Sequence, residues 1–302
     1  MGNLITANLV WNEKEIANMS NNIGVVHLIW GPCGIGTFNT FLQSYIKNPG
    51  GLKHELILVF NGFSSDKETS EYKSLLENLR YSSMFIEDRG FDIGSYFIAT
   101  NVFNYEYYCF LNSYSIILDK EWLVKMYHYV SQDQVGLVGA TASYESPYSN
   151  FVNIHRFTPS DAPLYYRIIK NSCLNRLRYL YYFSPFPNCH IRTNAFMIKK
   201  EILSKIKHKT MRSKLDTLRF ENGRISMTNQ IFKMKLDALV VGKDGKAYKK
   251  EDWPTSNTFR QNNQENLLIS DNQTDKYLRA NSDAKMYLSK LAWGDYAENT
   301  LI

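Results

Sequence analysis

The sequence predicts an α/β protein with a mostly parallel central sheet flanked by helices. Continuous apolar runs, which are typical of parallel strands buried on both faces, recur along the chain. Between them lie segments whose apolar residues repeat every three or four positions, as on one face of a helix. Strands that alternate with helices indicate βαβ units. With 302 residues, 44% of them apolar, the chain is long enough for one large domain.

The first half of the chain contains the clearest alternation. Its predicted strands are the runs at 24–30, 55–60, 84–86, 107–111 and 136–140. Predicted helices follow three of these strands, and their apolar stripes begin at Phe38, Tyr72 and Trp122. A Gly-rich segment, GPCGIGT, connects the first strand to the first helix, and the turn at 48–51 ends that helix.

The second half begins with a long aromatic helical segment at 161–182, which the prolines at 185 and 187 end. The later predicted elements are a strand at 195–198, helices at 201–207 and 225–236, a strand at 238–242 and a last amphipathic helix at 277–291. Between the last two elements, 253–272 is polar and rich in Asn and Gln. We expect a main domain, 1–250, and a C-terminal helical extension, 251–302, that packs on the same domain.

Composition excludes several classes of protein. The chain has 35 basic and 29 acidic residues, a net charge of +6, but no nucleic-acid-binding motif, so we expect no nucleic acid partner. No apolar run approaches about 18 residues, and the N-terminus lacks a secretion-signal pattern, so we expect a cytoplasmic protein. The four cysteines are too widely spaced for a structural zinc site or a disulfide framework.

One group of basic residues has two interpretations. Lys199, Lys200, Lys205 and Lys207 lie close together in the sequence. They suit contact with phosphate or with an anionic membrane surface. They also suit the solvated face of a helix, which is the more common reason for such a group.

Polar residues collect at or just after the ends of the predicted strands. They include Asn61, Asp92, the segment 112–115 (Asn-Ser-Tyr-Ser) and the segment 141–144. Open α/β sheets bind ligands outside the carboxyl ends of their strands, so this edge is the predicted site. Asp92, which lies between two nearby glycines, suits hydrogen bonds from a base or ribose. It equally suits capping of the helix that follows.

The Gly-rich loop lies at the same edge. It has the G-x-x-x-x-G spacing of a phosphate-binding loop, and Thr37 follows it. It lacks the lysine that reaches the β- and γ-phosphates. A phosphate cradle and a plain tight turn are both consistent with it.

The order of the segments over 24–245 resembles bacterial family 2-type glycosyltransferases with the GT-A fold. The segment 58–66, LVFNGFSSD, resembles their vvDDGStD motif. The segment 88–126 resembles their middle, where a strand ending fLDsDd precedes p-x-W-L; here FLNS and then EWL take those places. The segment 192–236 resembles the acceptor half. The triplet DIG at 92–94 is similar to a D-I-G-x-Y/F signature of rhamnan-synthesis-type transferases.

This resemblance implies a GT-A-type, Rossmann-like fold. It also implies an enzyme that moves a hexosyl or deoxyhexosyl group from a nucleotide-sugar donor to a glycan such as bacterial capsule or O-antigen, with inversion. Family acceptors are often lipid-linked, which implies peripheral association with the inner face of the cell membrane. The alternative is a non-catalytic saccharide- or nucleotide-binding protein on the same fold. A sugar nucleotidyltransferase ranks lower, because the first loop lacks basic residues.

The sequence departs from the family at the metal-binding D-x-D motif. Asn112, Ser113, Tyr114 and Ser115 take its place and offer no carboxylate, which Mg²⁺ and Mn²⁺ usually need. The protein is then metal-independent, holds a metal elsewhere, or is inactive. We favour the first, with basic residues on the diphosphate. We expect no Mg²⁺ or Mn²⁺ at 112–115 and assign no metal ligand.

Inverting transfer needs a general base for the acceptor hydroxyl. Glu221 matches the acidic position of the family and is the predicted base. Asp216 and Asp252 are the alternatives. Glu221 could equally have no catalytic role and simply lie at the start of a helix, where the helix dipole favours a negative charge.

The remaining site predictions divide into donor and acceptor contacts. His190, Arg192 and Asn194 alternate along an extended segment, so their side chains point to one side; a polar edge-strand face explains this pattern equally well. The residues assigned to the nucleotide-sugar donor are Asn61, Asp92, Asn112, Ser113, Ser115, His190 and Arg192. The residues assigned to the glycan acceptor are Asn194, Trp253 and Asp271.

Overall fold

The central feature of the structure, a computed structural model, is an eight-stranded sheet. The structure describes residues 22–87, 91–153 and 173–296. The order of the strands in the sheet is β11-β10-β6-β9-β4-β1-β2-β3. These strands are β1 (Ile23–Trp30), β2 (Glu55–Asn61), β3 (Ser82–Ile86), β4 (Tyr107–Leu111), β6 (Val135–Gly139), β9 (Ala195–Lys199), β10 (Asp237–Val241) and β11 (Ala247–Tyr248). Two short ladders lie beside it and pair β5 (Ile116–Ile117) with β12 (Ile269–Ser270), and β7 (Ala142–Ser143) with β8 (His190–Ile191).

Helices cover both faces of this sheet. In the described ranges they are α1 (Gly34–Lys47), α2 (Ser70–Ser74), α3 (Phe91–Val102), α4 (Trp122–Val130), α5 (Pro147–Asn153), α6 (Cys173–Tyr182), α7 (Lys200–Lys205), α8 (Lys214–Asn222), α9 (Met227–Lys233), α10 (Asn272–Arg279) and α11 (Ser282–Trp293). Neighbouring residues of β1 enter different cores: Val25 packs with α1 and α4, and Val26 packs with α3 and α9. Burial on both faces explains the continuous apolar runs. The predicted fold class, an α/β protein with a mostly parallel sheet flanked by helices, is confirmed.

Strand β9 is antiparallel to both of its neighbours and thereby builds the site edge. β1, β2, β3 and β4 are parallel, whereas β9 is antiparallel to both β4 and β6. Ala195, the first residue of β9, pairs with Leu111, the last residue of β4. Residues just before β9 therefore lie at the carboxyl end of β4, where the Asn112 amide N–H donates to the Asn194 carbonyl at 2.9 Å.

The C-terminal segment packs against the same sheet and its helices. β12 pairs with β5, and Leu268 is part of the core on that side. Trp253 and Trp293 are 0% exposed, and the Trp293 indole N–H donates to the Phe259 carbonyl at 2.7 Å. The segment is thus held by apolar burial as well as by a strand pair.

Several helices differ from the predictions. The apolar stripe at 277–291 forms two helices, α10 and α11, because Ala280 has extended backbone and the Asn281 side chain caps α11 by accepting from the Ala284 N–H. The stripe that begins at Tyr72 forms only the short α2, and α8 was not predicted. Of the predicted aromatic helix, 173–182 forms α6, and 161–172 lies outside the described residues.

The sequence leads us to expect neither a membrane-spanning helix nor a disulfide framework. Within the described ranges, every helix is too short or too polar to cross a bilayer. Cys33, Cys109 and Cys189 carry free thiols, and the side chain of Cys173 lies outside the part described.

Candidate active site

The last residue of β2 places a buried amide at the carboxyl edge of the sheet. Asn61 is 1% exposed, and its Nδ2 donates to Ser95 Oγ, in the first turns of α3, at 2.9 Å. Its Oδ1 has no hydrogen-bond partner in the part of the chain that the structure describes. A buried amide oxygen without a partner is costly, so it is suited to accept a hydrogen bond from a ligand.

The turn at 112–115 is built by its own side chains. Asn112 Oδ1 accepts from the Tyr114 N–H and from Ser115 Oγ, both at 3.1 Å. Ser113 Oγ accepts from the Trp30 N–H, at the end of β1, at 3.2 Å. These side-chain oxygens are therefore already engaged in positioning the turn beside the Gly-rich loop.

This donor set does not fit a divalent metal ion. The turn offers neutral oxygens in place of the carboxylates that hard cations prefer, and the Asn112 oxygen already accepts two hydrogen bonds. Over the described residues, no three His, Cys, Asp or Glu side chains come close enough together to hold an ion.

The Gly-rich loop touches the loop after β2. Gly31 to Cys33 form one 3₁₀ turn that leads into α1. A Cβ atom on Gly31 would lie 2.8 Å from the Gly62 carbonyl oxygen. Glycine is needed here because the backbones of two strand-end loops approach closely, which supports the tight-turn interpretation.

Arg192 and Asp271 form an ion pair that joins the site edge to the C-terminal segment. Arg192 Nη2 lies 2.6 Å from Asp271 Oδ2, and its Nη1 donates to Thr141 Oγ1 at 3.3 Å. Burial alone would raise the pKa of Asp271, but the Arg192 charge and hydrogen bond outweigh it and lower that pKa. Asp271 also accepts from two backbone N–H groups at the start of α10.

Asn194 lies beside this pair. Its Oδ1 accepts from Thr141 Oγ1 at 2.8 Å, and its Nδ2 has no partner among the described residues. Thr141 therefore connects two of the predicted residues, Arg192 and Asn194, and a free buried amide N–H group is available for a ligand oxygen.

Glu221 comes to this edge from α8. It is the second-last residue of that helix, not a residue that begins one, so the helix dipole does not favour it there. Its Oε1 accepts from the Thr193 N–H at 3.2 Å. His190, two positions before Arg192, is buried; burial lowers its pKa, and its Nδ1 hydrogen-bonds the Asn188 carbonyl at 2.8 Å. The imidazole is therefore neutral at neutral pH.

Asp92 lies in the first turn of α3 and interacts with Glu221. Burial, followed by the charge of Glu221, raises the pKa of Asp92 to about 6. The hydroxyl of Tyr96, one turn later, is buried without a hydrogen-bond partner among the described residues and interacts electrostatically with both carboxylates. Asp92 and Glu221 therefore interact electrostatically, although they come from different halves of the chain.

A second arginine, Arg260, flanks the site. Arg260 Nη1 lies 3.0 Å from Glu145 Oε2. The Phe259 ring packs against both guanidinium groups, with Arg192 Cζ 4.3 Å and Arg260 Cζ 4.8 Å from its centroid. Arg260 has a φ of 49°, and Asn257, Asn262 and Gln264 are also left-handed. Such backbone strain is found at ligand-binding loops, but sequence spacing does not reveal it.

Trp253, a predicted acceptor residue, lies in the core of the molecule. Its ring is fully buried in the core, and its N–H donates to the Tyr248 carbonyl at 3.0 Å. A ring that is fully buried offers no face for a sugar to stack on. The edge itself combines the carboxylates of Asp92 and Glu221, unpaired amide atoms, and two arginines that are each paired with a further carboxylate. Such a set is suited to binding hydroxyls and a diphosphate and to accepting a proton.

The comparisons with known proteins rest on structure alone. No protein-family model matches the chain, and no curated protein matches it. It is similar to the mannosyltransferase PcManGT from Pyrobaculum calidifontis in complex with GDP-Man and Mn²⁺, at 13% identity over 89% of this chain and 69% of that one, with a TM-score of 0.46.

Two further solved structures are similar over smaller parts of the chain. Glucosyl-3-phosphoglycerate synthase from Mycobacterium tuberculosis is 13% identical over 66% of this chain and 64% of that one, with a TM-score of 0.38. TarS 1-349 from S. aureus is 16% identical over 39% of this chain and 34% of that one, with a TM-score of 0.32. These likenesses identify none of this chain's residues as functional.

Proposed function

We propose that this protein is a GT-A-type glycosyltransferase, with 1–250 as the transferase domain and 251–302 as an extension that completes its site. The proposal rests on the Asp92–Glu221 carboxylate pair at the carboxyl edge of the parallel strands. Sugar transfer needs one base, together with groups that bind hydroxyls and a leaving diphosphate. This edge has residues for both tasks.

Glu221 is the proposed general base. The acceptor hydroxyl oxygen attacks the anomeric carbon from the side opposite the diphosphate, and its proton passes to the Glu221 carboxylate. The bond from the anomeric carbon to the diphosphate oxygen breaks, and its electron pair leaves with the nucleotide diphosphate. Configuration therefore inverts. The hydrogen bond from the Thr193 N–H fixes one carboxylate oxygen and leaves the other to take the proton.

The donor would lie along the strand ends. The unpartnered oxygen of Asn61 and the carboxyl of Asp92 suit a nucleobase or ribose. His190, Arg192 and the turn 112–115 would lie near the diphosphate, with Arg260 as an additional cation. Because the oxygens of that turn are engaged with each other and with backbone, we propose that arginines rather than a metal at 112–115 offset the diphosphate charge.

The acceptor would approach from the side of β9. The free Nδ2 of Asn194 suits a sugar hydroxyl, Asp271 orients Arg192, and Trp253 supports this side from the core. The family resemblance extends the proposal in three respects. The donor would carry a hexosyl or deoxyhexosyl group, and the acceptor would be a capsule- or O-antigen-type glycan or its lipid-linked form. The protein would act in the cytoplasm, at the inner face of the membrane.

The rival function is a non-catalytic saccharide- or nucleotide-binding protein, which the missing carboxylates at 112–115 favour. UDP-, GDP-, dTDP- and CMP-sugars would be tested by calorimetry and by slow donor hydrolysis, each with and without EDTA. We expect one donor to bind equally well with EDTA and to be hydrolysed slowly. Binding without hydrolysis would favour the rival, and loss of binding with EDTA would contradict the metal-free proposal.

The Glu221→Gln variant then separates catalysis from binding. We expect turnover to fall by about 10²–10⁴-fold, while the dissociation constant for the donor changes little. Asp216→Asn, on the same helix, is the matched control and should retain turnover. If turnover falls equally in the two variants, Glu221 is not the general base.

A further inference from the structure

A cavity of about 920 Å³ lies between α3, α7 and the segment 206–212 that joins α7 to α8. It contains none of the residues proposed to bind the donor, the acceptor or the proton. Its lining includes Phe91 and Gly94, which lie on either side of Asp92 in the sequence. The cavity is therefore adjacent to the proposed site but is lined by different residues.

One wall of the cavity is an exposed apolar face of α3. Phe91, Phe97 and Ile98 follow helical spacing on the lining side, and Phe91 and Ile98 are 45% and 39% exposed. Leu203 of α7 and Met211 complete the apolar surface. Apolar side chains exposed together beside a cavity of this size indicate a binding surface rather than core.

The rim of the cavity also carries cationic residues. Lys200, Lys209 and Arg212 line it, and none of the described lining residues is a carboxylate. Lys200 Nζ donates to the neutral Asn104 Oδ1 at 2.7 Å. Neither Lys209 nor Arg212 pairs with a carboxylate in the part of the chain described.

The two carboxylates near this rim form their ion pairs with residues that do not line the cavity. Glu201 lies 2.6 Å from Lys205, and Asp216 lies 3.7 Å from Arg219 while also accepting from the Ser213 hydroxyl and from the backbone N–H of Arg212. Asp216 thus lies beside the rim, but its ion pair is with Arg219, and the side-chain cations of the rim form no ion pair with a carboxylate among the described residues. Of the lysines grouped in the sequence, Lys200 is therefore suited to contact a phosphate, whereas Lys205 is paired with Glu201.

We propose that this cavity binds an anionic amphiphile: a phosphate monoester or diester head between Lys200, Lys209 and Arg212, and an alkyl or aryl body along the Phe91–Phe97–Ile98 face. Lysine and arginine donors suit phosphate oxygens. The apolar wall adds affinity that a free phosphate ion does not gain. The same chemistry occurs in soluble phosphate esters and in phospholipid headgroups.

The first test uses dodecyl phosphate below its critical micelle concentration, with inorganic phosphate and dodecyltrimethylammonium as comparison probes. Calorimetry on the full chain should show dodecyl phosphate binding more than about tenfold tighter than inorganic phosphate, and no measurable binding of the cationic amphiphile. Equal affinity for the two phosphates, or for both amphiphiles, would overturn the proposal.

Charge-reversed variants locate the site. Lys209→Glu with Arg212→Glu should weaken dodecyl phosphate binding by about tenfold or more. The control, Lys53→Glu with Lys276→Glu, makes the same change in net charge at exposed positions away from the cavity and should bind normally. If both double variants bind as the parent does, or weaken equally, the cavity is not the site. Circular dichroism confirms that each variant is folded.

Ile98→Ser tests the apolar wall separately. It should weaken dodecyl phosphate binding and leave inorganic phosphate binding unchanged, because it removes only apolar contact. Co-sedimentation with phosphatidylglycerol vesicles distinguishes a phospholipid headgroup from a soluble phosphate ester as the ligand. If the protein binds the vesicles and the charge reversal abolishes this binding, the ligand is a membrane headgroup. If the protein does not bind the vesicles, the ligand is a soluble ester. Because these variants spare the proposed donor site, the result does not depend on the transferase proposal.

Discussion

The carboxylate of Asp92, in the first turn of α3, interacts with that of Glu221, in the last turn of α8, and together with burial this raises the pKa of Asp92 to about 6. A buried carboxylate beside another carboxylate is disfavoured as an anion. Asp92 therefore keeps its proton to a higher pH than an isolated aspartate would, a property typical of sites that exchange protons.

Replacing Glu221 by Gln should lower the pKa of Asp92 toward the usual range without fully restoring it, because burial remains the larger cause. Carboxyl NMR of Asp92 in the parent and variant measures this shift. Asp216→Asn should leave the Asp92 resonance unchanged. An unchanged pKa in Glu221→Gln would mean that the two carboxylates do not interact.

The raised pKa of Asp92 also has a consequence for stability. A carboxyl with a pKa above its unfolded value contributes stability that is present below the unfolded pKa and lost as pH rises through the folded pKa. Between pH 4 and pH 7 the parent should therefore lose about 2–3 kcal/mol relative to Asp92→Asn. Urea unfolding of both proteins at the two pH values checks this, and a difference that stays constant with pH would contradict it.

Asp271→Asn should destabilise the protein by about 3–5 kcal/mol near neutral pH, because it leaves the buried Arg192 charge without its partner. Asn keeps an N-cap oxygen for α10, so the loss reports the ion pair. The pKa of Asp271 is lowered, so its contribution is present above the unfolded pKa and disappears as pH falls through the folded pKa.

Denaturation of Asp271→Asn at neutral and acid pH tests this prediction, with Asp275→Asn as control. Asp275 forms an exposed i,i+4 pair with Arg279, so its loss should cost less than about 1 kcal/mol. Similar losses in the two variants would show that the buried pair has no special role.

Two glycines of the first loop should respond in opposite ways to alanine. Gly31→Ala places a Cβ atom 2.8 Å from the Gly62 carbonyl oxygen, so we expect a loss of about 1–3 kcal/mol. Gly36→Ala meets nothing within 4 Å in α1 and should stabilise by about 0.5–1 kcal/mol. Thermal unfolding distinguishes them; equal changes would mean that the loop backbone relaxes around the new methyl group.

Elements that depend on local burial can be predicted from the order of apolar and polar residues along the chain. The runs at 24–30 and 107–111 became β1 and β4 with nearly the predicted bounds, because a strand buried on both faces must be apolar throughout. It also indicated that polar groups gather at the strand ends, since that edge is where an open α/β sheet meets solvent.

Contacts between residues far apart in the sequence depend on how the elements pack in three dimensions. The antiparallel β9 brings Arg192 to the end of β4, α8 carries Glu221 to Asp92, and α10 supplies Asp271. Residue spacing encodes which face of an element is buried, but not which element covers it or in which direction that element runs. The position and direction of each element depend on the packing of the whole core, and this packing brings the residues of the candidate site together.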